Sequence, residues 1–193
     1  MNMKRIAIFA SGNGSNAENI IRHFQDAPRG GEVVLVVCNK PEAGVIGRAS
    51  RLNVPVEVLT GAEIRDPERM LPVLERYGVD VIVLAGFLLM IPSFLIERYH
   101  ERIVNIHPSL LPKFGGKGMY GRHVHEAVVA AGETESGITV HFVSDKCDEG
   151  RVISQISVAL TPEDTPESVE EKIHALERLH FPRIIEETFC RKC

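Results

Sequence analysis

The run Val79-Asp80-Val81-Ile82-Val83-Leu84-Ala85-Gly86 is apolar at nearly every position. A strand with one wet face alternates apolar and polar side chains. A strand without that alternation is buried on both faces, which a parallel sheet achieves by laying helices over both sides. Segments Lys4–Ala10 (KRIAIFA), 32–38 (EVVLVVC), 54–59 and Ile103–His107 read as further strands of the same sheet. Between them, a segment opening at Ala17 and segments 43–52 and 62–77 carry apolar residues at helical spacing. Ser93 is placed to cap another helix, to about Tyr99, and 122–131 reads as the next. Segments 137–143 (GITVHFV) and 151–160 then alternate around an acidic turn, which predicts a hairpin. Asp164 and Thr165 open a last helix to about Cys190, with a kink expected at Pro182. The expected fold is α/β: a Rossmann-like three-layer sandwich with a mostly parallel central sheet, a C-terminal antiparallel hairpin and a long last helix. One domain is expected over residues 1–193.

A net charge of -4 gives no electrostatic ground for a nucleic-acid partner. The chain holds no apolar run of about twenty residues, so no membrane span is expected. The first apolar stretch is too short for a signal-peptide core, which points to the cytoplasm. Cys38, Cys147, Cys190 and Cys193 read as reduced thiols in a chain long enough to fold without staples, and Cys190-x-x-Cys193 lacks a second pair at zinc-finger spacing. His123 and His125 have the spacing of a surface pair, and no metal is expected.

Two stretches carry chemistry. Ser11-Gly12-Asn13-Gly14-Ser15-Asn16 joins the first strand to a helix, an arrangement whose free N–H groups and helix dipole attract an anion. Ser15 or Asn16 can cap that helix or bond the anion. Gly12, Gly14 and Ala17 also fit a dinucleotide fingerprint, but the second strand ends in Asn39-Lys40-Pro41 without the acid that would hold ribose hydroxyls. A phosphate monoester is the better fit. In the second stretch, Asn105 and His107 are two apart on a strand and share a face, and Pro108 ends the strand beside them. An Asn amide and a His at the carboxyl end of a strand suit the oxyanion of acyl chemistry. A carboxylate from the 145–150 turn would raise the pKa of His107. Segment 87–91 reads as core or as the wall of a flat ligand's pocket. The glycine-rich stretch 115–121 reads as a mobile loop beside the site, and His174 and Glu177 as surface positions on the last helix.

SGNGSN, VIVLAGF, VNIHPSLLPKF, ITVHFVSD followed by DEG, and EKIHALERLHFP occur in one order along nearly the whole chain. In these motifs the sequence resembles the phosphoribosylglycinamide formyltransferases. That resemblance implies transfer of a formyl group from 10-formyltetrahydrofolate to the amine of glycinamide ribonucleotide, in purine biosynthesis. It implies small-molecule partners only, no metal, and a monomer or homodimer. It implies an N-terminal half that binds the phosphate and a C-terminal half that binds folate and carries the chemistry. Carried over by position, the catalytic residues are Asn105, His107 and Asp148, with His141 beside them. Gly14, Ser15 and Asn16 bind the phosphate, and Glu177 and His174 the glycinamide and ribose part. Leu88, Leu89, Met90, Ile91, Asn105 and Arg65 face folate. The 115–121 loop is longer and richer in glycine than in common relatives, and Leu89 stands where some carry a basic residue. A formyltetrahydrofolate hydrolase and a nucleotide-binding module without chemistry are the rival readings.

Overall fold

The computed structural model describes residues 3–27 and 29–190. Seven strands form one sheet in the order β3-β2-β1-β4-β5-β6-β7. β1 (Lys4–Ala10), β2 (Gly31–Cys38), β3 (Val56–Val58), β4 (Val81–Leu84) and β5 (Ile103–His107) run parallel. β6 (Glu135–Phe142) pairs antiparallel with β5, and β7 (Val152–Ala159) antiparallel with β6. The expected α/β architecture is therefore present, antiparallel hairpin included. From β1 the chain crosses to β2 on one side and later to β4 on the other, so a crevice opens at the carboxyl ends of β1 and β4.

The pleat sorts β1 between two cores. Ile6, Ile8 and Ala10 join the apolar cluster beneath α1 (Ser15–Gln25), α2 (Gly44–Arg51), α6 (Arg122–Ala130) and α7 (Pro166–Phe189). Ala7 and Phe9 face the cluster under α4 (Pro67–Arg76) and α5 (Ser93–Arg98). All five of these β1 residues are fully buried, as an unbroken apolar run requires.

Two local expectations are corrected. The helix expected over 62–77 is two helices, α3 (Gly61–Arg65) and α4, because Asp66 leaves the helical region, accepts a hydrogen bond from Glu68 N and precedes Pro67. The N-cap of α5 is Pro92 rather than Ser93. α7 is one helix with Pro182 inside it. A proline cannot bond the carbonyl four residues earlier; here that carbonyl, on Arg178, accepts instead from Asn19 Nδ2 of α1 at 2.8 Å.

Candidate active site

Asn105 and His107 sit on β5, where the parallel half of the sheet meets the antiparallel half. The register sets Asn105 opposite His141 and His107 opposite Thr139. Cross-strand partners share a face, and Asn105 Nδ2 approaches His141 Nε2 at 3.2 Å. His141 Nδ1 donates to the Phe142 carbonyl at 2.9 Å, which leaves Nε2 to accept from the Asn105 amide. One N–H of Asn105 is thereby committed and its orientation fixed.

Asp148 reaches the same place from the β6–β7 turn, with φ at +57°. Its Oδ2 lies 3.5 Å from His107 Nδ1 and its Oδ1 lies 3.6 Å from His141 Nε2. Gly116 N also donates to Oδ2 at 3.0 Å. The left-handed backbone at Asp148 is held by these contacts and by Gly150, whose missing side chain lets the turn press on Phe142.

The glycine-rich loop closes onto this cluster. The Phe114 carbonyl, on a residue with φ at +54°, accepts from His107 Nε2 at 2.8 Å. A carbonyl only accepts, so Nε2 carries the ring's proton. Below the loop, Thr139 Oγ1 donates to the Ser109 carbonyl and accepts from Leu111 N, and Gln155 holds the Leu111 carbonyl.

Burial decides the charge on His107. It lowers the pKa below the ordinary 6.5; Asp148 and the Phe114 carbonyl oppose it, and His141 adds to it. The expected upward pull of a nearby carboxylate is present, but burial outweighs it, because the ring is only 3% exposed. For Asp148 burial also acts against the charge, but it is outweighed by the contact with His141, the Gly116 N–H bond, and the charge that His107 and His141 carry when protonated. The carboxyl is lowered from 3.8 to about 2. Both groups bind protons more weakly folded than unfolded, so their stabilisation is complete above the unfolded pKa values and is lost on acidification. The His107 part should fade as pH falls below 6.5. The Asp148 part, about 2 kcal/mol, should fade between pH 3.8 and about 2. Urea midpoints at pH 7.5, 5.5 and 3 measure both.

The glycine turn lies at the end of β1. Gly14 is left-handed, φ +81°, and a Cβ there would come within 2.6 Å of Val45 Cα. Gly14 is itself the N-cap of α1, and neither Ser15 nor Asn16 caps the helix by its side chain. The first-turn amides therefore remain open to an anion. Arg48 of α2 braces the turn, donating to Asn13 O and Asn13 Oδ1 at 2.9 Å each. Ser15 is exposed. Asn16 Nδ2 instead donates to Glu177 Oε2 at 2.9 Å. Glu177 is 7% exposed rather than a surface residue. Burial first, with Glu170 behind it, raises the Glu177 pKa; the Asn16 bond, His174 and Arg178 only partly offset this. His174 is half-buried one turn away.

The 88–91 segment divides. Leu88 and Met90 are 49% and 57% exposed, while Ile91 is buried and Leu89 packs on the core. Arg65 and Leu89 meet beside Gly61, each 3.3 Å from where its Cβ would stand. Ser11, the first residue of the glycine turn, ties the wall to it: its hydroxyl donates to Asn39 Oδ1 at 2.6 Å and accepts from Leu88 N at 3.0 Å. The expected surface pair also divides. His123 is exposed, but His125 is 2% exposed. Sequence spacing could have found this, since His125 falls one residue from Val124 and three from Val128, both buried. Cys193 lies outside the described residues; Cys190 is half-buried and its thiol is pushed up to about 11. Among the described residues no cluster of His, Cys, Asp and Glu is arranged to hold a metal, and no helix is long and apolar enough to cross a membrane.

The profile of the formyl transferase family matches residues 4–185. The chain is 42% identical over 175 residues to the chloroplastic phosphoribosylglycinamide formyltransferase of Arabidopsis thaliana, covering 88% of this chain and 60% of that one. It is 35% identical to the phosphoribosylglycinamide formyltransferase of Bacillus subtilis (strain 168), covering 96% of this chain and 94% of that one. The chain thus spans three fifths of the plant relative and nearly all of the bacterial one. The crystal structure of glycinamide ribonucleotide transformylase 1 from Geobacillus kaustophilus superposes with a TM-score of 0.87 at 38% identity, over 96% of this chain and 98% of that one.

Proposed function

Since the chain belongs to the formyl transferase family, we propose that it transfers the formyl group of 10-formyltetrahydrofolate to the amine of glycinamide ribonucleotide, in the cytoplasm, as a step of purine synthesis. What supports this most is the meeting of Asn105, His107 and Asp148 at one strand end, the pattern that acyl transfer to an amine needs. In this reading residues 1–193 form one domain, working as monomer or homodimer. Its N-terminal half holds the substrate phosphate at Gly14, Ser15 and Asn16, and its C-terminal half binds folate and carries the chemistry.

The exposed Leu88 and Met90, on either side of the Leu89 that stands with Arg65 against Gly61, suit a flat ligand with an apolar face and an anionic end. Arg65 makes no ion pair among the described residues that would compete for it. Bound formyl-folate supplies the electrophilic carbon. Asn105 offers its second N–H to the oxygen of that carbon. His107 offers Nε2–H to the same oxygen once the Phe114 carbonyl withdraws. Both bonds strengthen as the oxygen gains charge when the amine attacks, so they act on the transition state more than on the ground state. Burial favours the neutral ring of His107, and Asp148 beside Nδ1 pulls the other way. Asp148, held near 2, is a stronger charge than base. Its role is to attract the proton shed by the attacking amine into ordered water and to return it to the departing folate nitrogen. His141 fixes Asn105 and Asp148. Glu177 and His174 hold the ribose and glycinamide, and the phosphate anchor supplies proximity.

Glu177 should then show a conflict between stability and binding. A raised folded pKa means that the protonated form is favoured on folding; that stabilisation is present below the ordinary 4.5 and lost as pH rises through the folded value. At neutral pH the buried carboxylate is a net cost. Glu177→Gln keeps an acceptor for Asn16 and should raise stability on the order of 1 kcal/mol, while raising KM for glycinamide ribonucleotide ~10-fold. Paired urea melts and steady-state kinetics check both.

The deciding assay follows deformylation of 10-formyltetrahydrofolate with and without glycinamide ribonucleotide. Turnover that needs the acceptor is the expected result. Formate release without it would establish a hydrolase, and no turnover either way would leave a binding module.

A further inference from the structure

Much of what shapes the glycine turn comes from α2. Val45 N donates to the Gly12 carbonyl at 3.2 Å. A Cβ on Gly44 would stand 3.1 Å from both Asn13 O and Asn13 Oδ1. One turn along α2, Arg48 grips the same asparagine at two points: Nε donates to Asn13 O and Nη2 to Asn13 Oδ1, at 2.9 Å each. A planar guanidinium bonded to both the backbone and the side chain of one residue leaves that residue little freedom. Asn13 directly precedes Gly14, the N-cap of α1. The grip therefore fixes how the first amides of α1 are presented.

Arg48 has a second partner. Its Nη1 donates to Glu18 Oε2, while Glu18 Oε1 accepts from Arg22 Nε at 3.1 Å and from Arg22 Nη2 at 2.8 Å. Glu18 is the acid in the first turn of α1, the turn whose amides are open to an anion. A carboxylate at that place suits the helix dipole but repels an anionic ligand. The side chains of Arg48 and Glu18 are 29% and 19% exposed, so solvent screens the repulsion only in part. With Arg48 the three charged groups sum to plus one; without it they sum to zero.

We propose that Arg48 is a positioning residue for the acceptor's phosphate: it sets the glycine turn through Asn13 and cancels the carboxylate of Glu18 beside it. The proposal rests on the functional reading above, in which that turn receives a phosphate monoester. The backbone amides supply the bonds to the anion; Arg48 supplies their orientation and a favourable charge, and needs no contact with the ligand. The phosphate is held alike before and during formyl transfer. Loss of Arg48 therefore belongs in KM for the acceptor and not in kcat.

The test is steady-state kinetics with both substrates varied. Arg48→Met keeps the stem of the side chain and removes the guanidinium. It should raise KM for glycinamide ribonucleotide ~10-fold and leave kcat and KM for 10-formyltetrahydrofolate nearly unchanged. Adding Glu18→Gln to Arg48→Met removes the uncancelled carboxylate and should recover about 3-fold of that loss. A turn that had merely lost packing would gain nothing from the second change. Arg48→Lys keeps the charge but not the two-point grip, and should fall between wild type and Arg48→Met. Unchanged acceptor KM in a folded Arg48→Met would overturn the proposal. So would a loss confined to kcat, a loss shared equally by both KM values, or a double variant no better than Arg48→Met. If Arg48→Met does not fold, Arg48→Gln replaces it, and unchanged acceptor KM there would overturn the proposal equally. Wild-type protein that fails to turn over the acceptor would instead overturn the functional reading, which separates the two failures.

Discussion

Replacing His107 by alanine is expected to lower kcat about 10²–10³-fold with the fold intact. His107 Nε2–H is one of two donors proposed for the developing oxyanion, and its geometry is set by the Phe114 carbonyl at Nε2 and by the strand beneath it. Asn105→Ala removes the other donor and should cost a similar factor. Because the two act on one oxygen, the double variant should lose less than the product of the single losses. Asp148→Asn should also be severe. It keeps the shape of the side chain and an acceptor for Gly116 N, but removes the charge that a pKa of about 2 preserves at every working pH. KM for both substrates should change far less than kcat, since these groups act mainly as charge develops. Quenched single-turnover assays on each variant, with circular dichroism to confirm the fold, measure this. Near-normal rates in folded His107→Ala would remove it from the chemistry.

The largest structural effect is expected from a residue that touches no substrate. Gly150→Ala would put a Cβ into the Phe142 carbonyl oxygen and close to His141 Nδ1. That carbonyl is the acceptor that orients His141, and His141 in turn holds Asn105 and faces Asp148. The contact is backbone against backbone on a sheet strand, so no side chain can swing aside. The substitution should cost about 3 kcal/mol or more, and the fraction that folds should turn over poorly because His141 is displaced. A urea titration and kcat per folded molecule separate the two losses. An alanine variant as stable as wild type would show that the turn can move away from β6.

This glycine also shows what a sequence can and cannot convey. The DEG of 148–150 could be matched as a pattern, but its reason, a close approach to Phe142, exists only in the folded turn. Asn105 and His107 were legible because strand period is a local property. Asp148 was legible only through the family resemblance, since a left-handed turn residue arrives from another strand pair. The direction of the His107 pKa depends on burial, which no charge pattern in the sequence encodes. Glu177 and His125 read as surface residues by default; α7 packs against α1, α6 and β6 at once, so positions that look polar face other elements rather than water. Asp66-Pro67, by contrast, carried a helix start in plain view.

The contacts that join α7 to α1 carry a consequence for biogenesis. Asn16 meets Glu177, Asn19 meets Arg178 and His23 meets Glu186, pairs separated by 161, 159 and 163 residues. During synthesis the glycine turn emerges early, and β1, β2 and β4 can associate while the ribosome is still translating. The carboxylate that faces that turn is made 161 residues after Asn16. The proposed acceptor site therefore needs α7; it appears only when that helix has cleared the exit tunnel and docked, a slow closure of high contact order. Until then the apolar face awaiting α7, with Ile20 and Phe24 upon it, is open to chaperones.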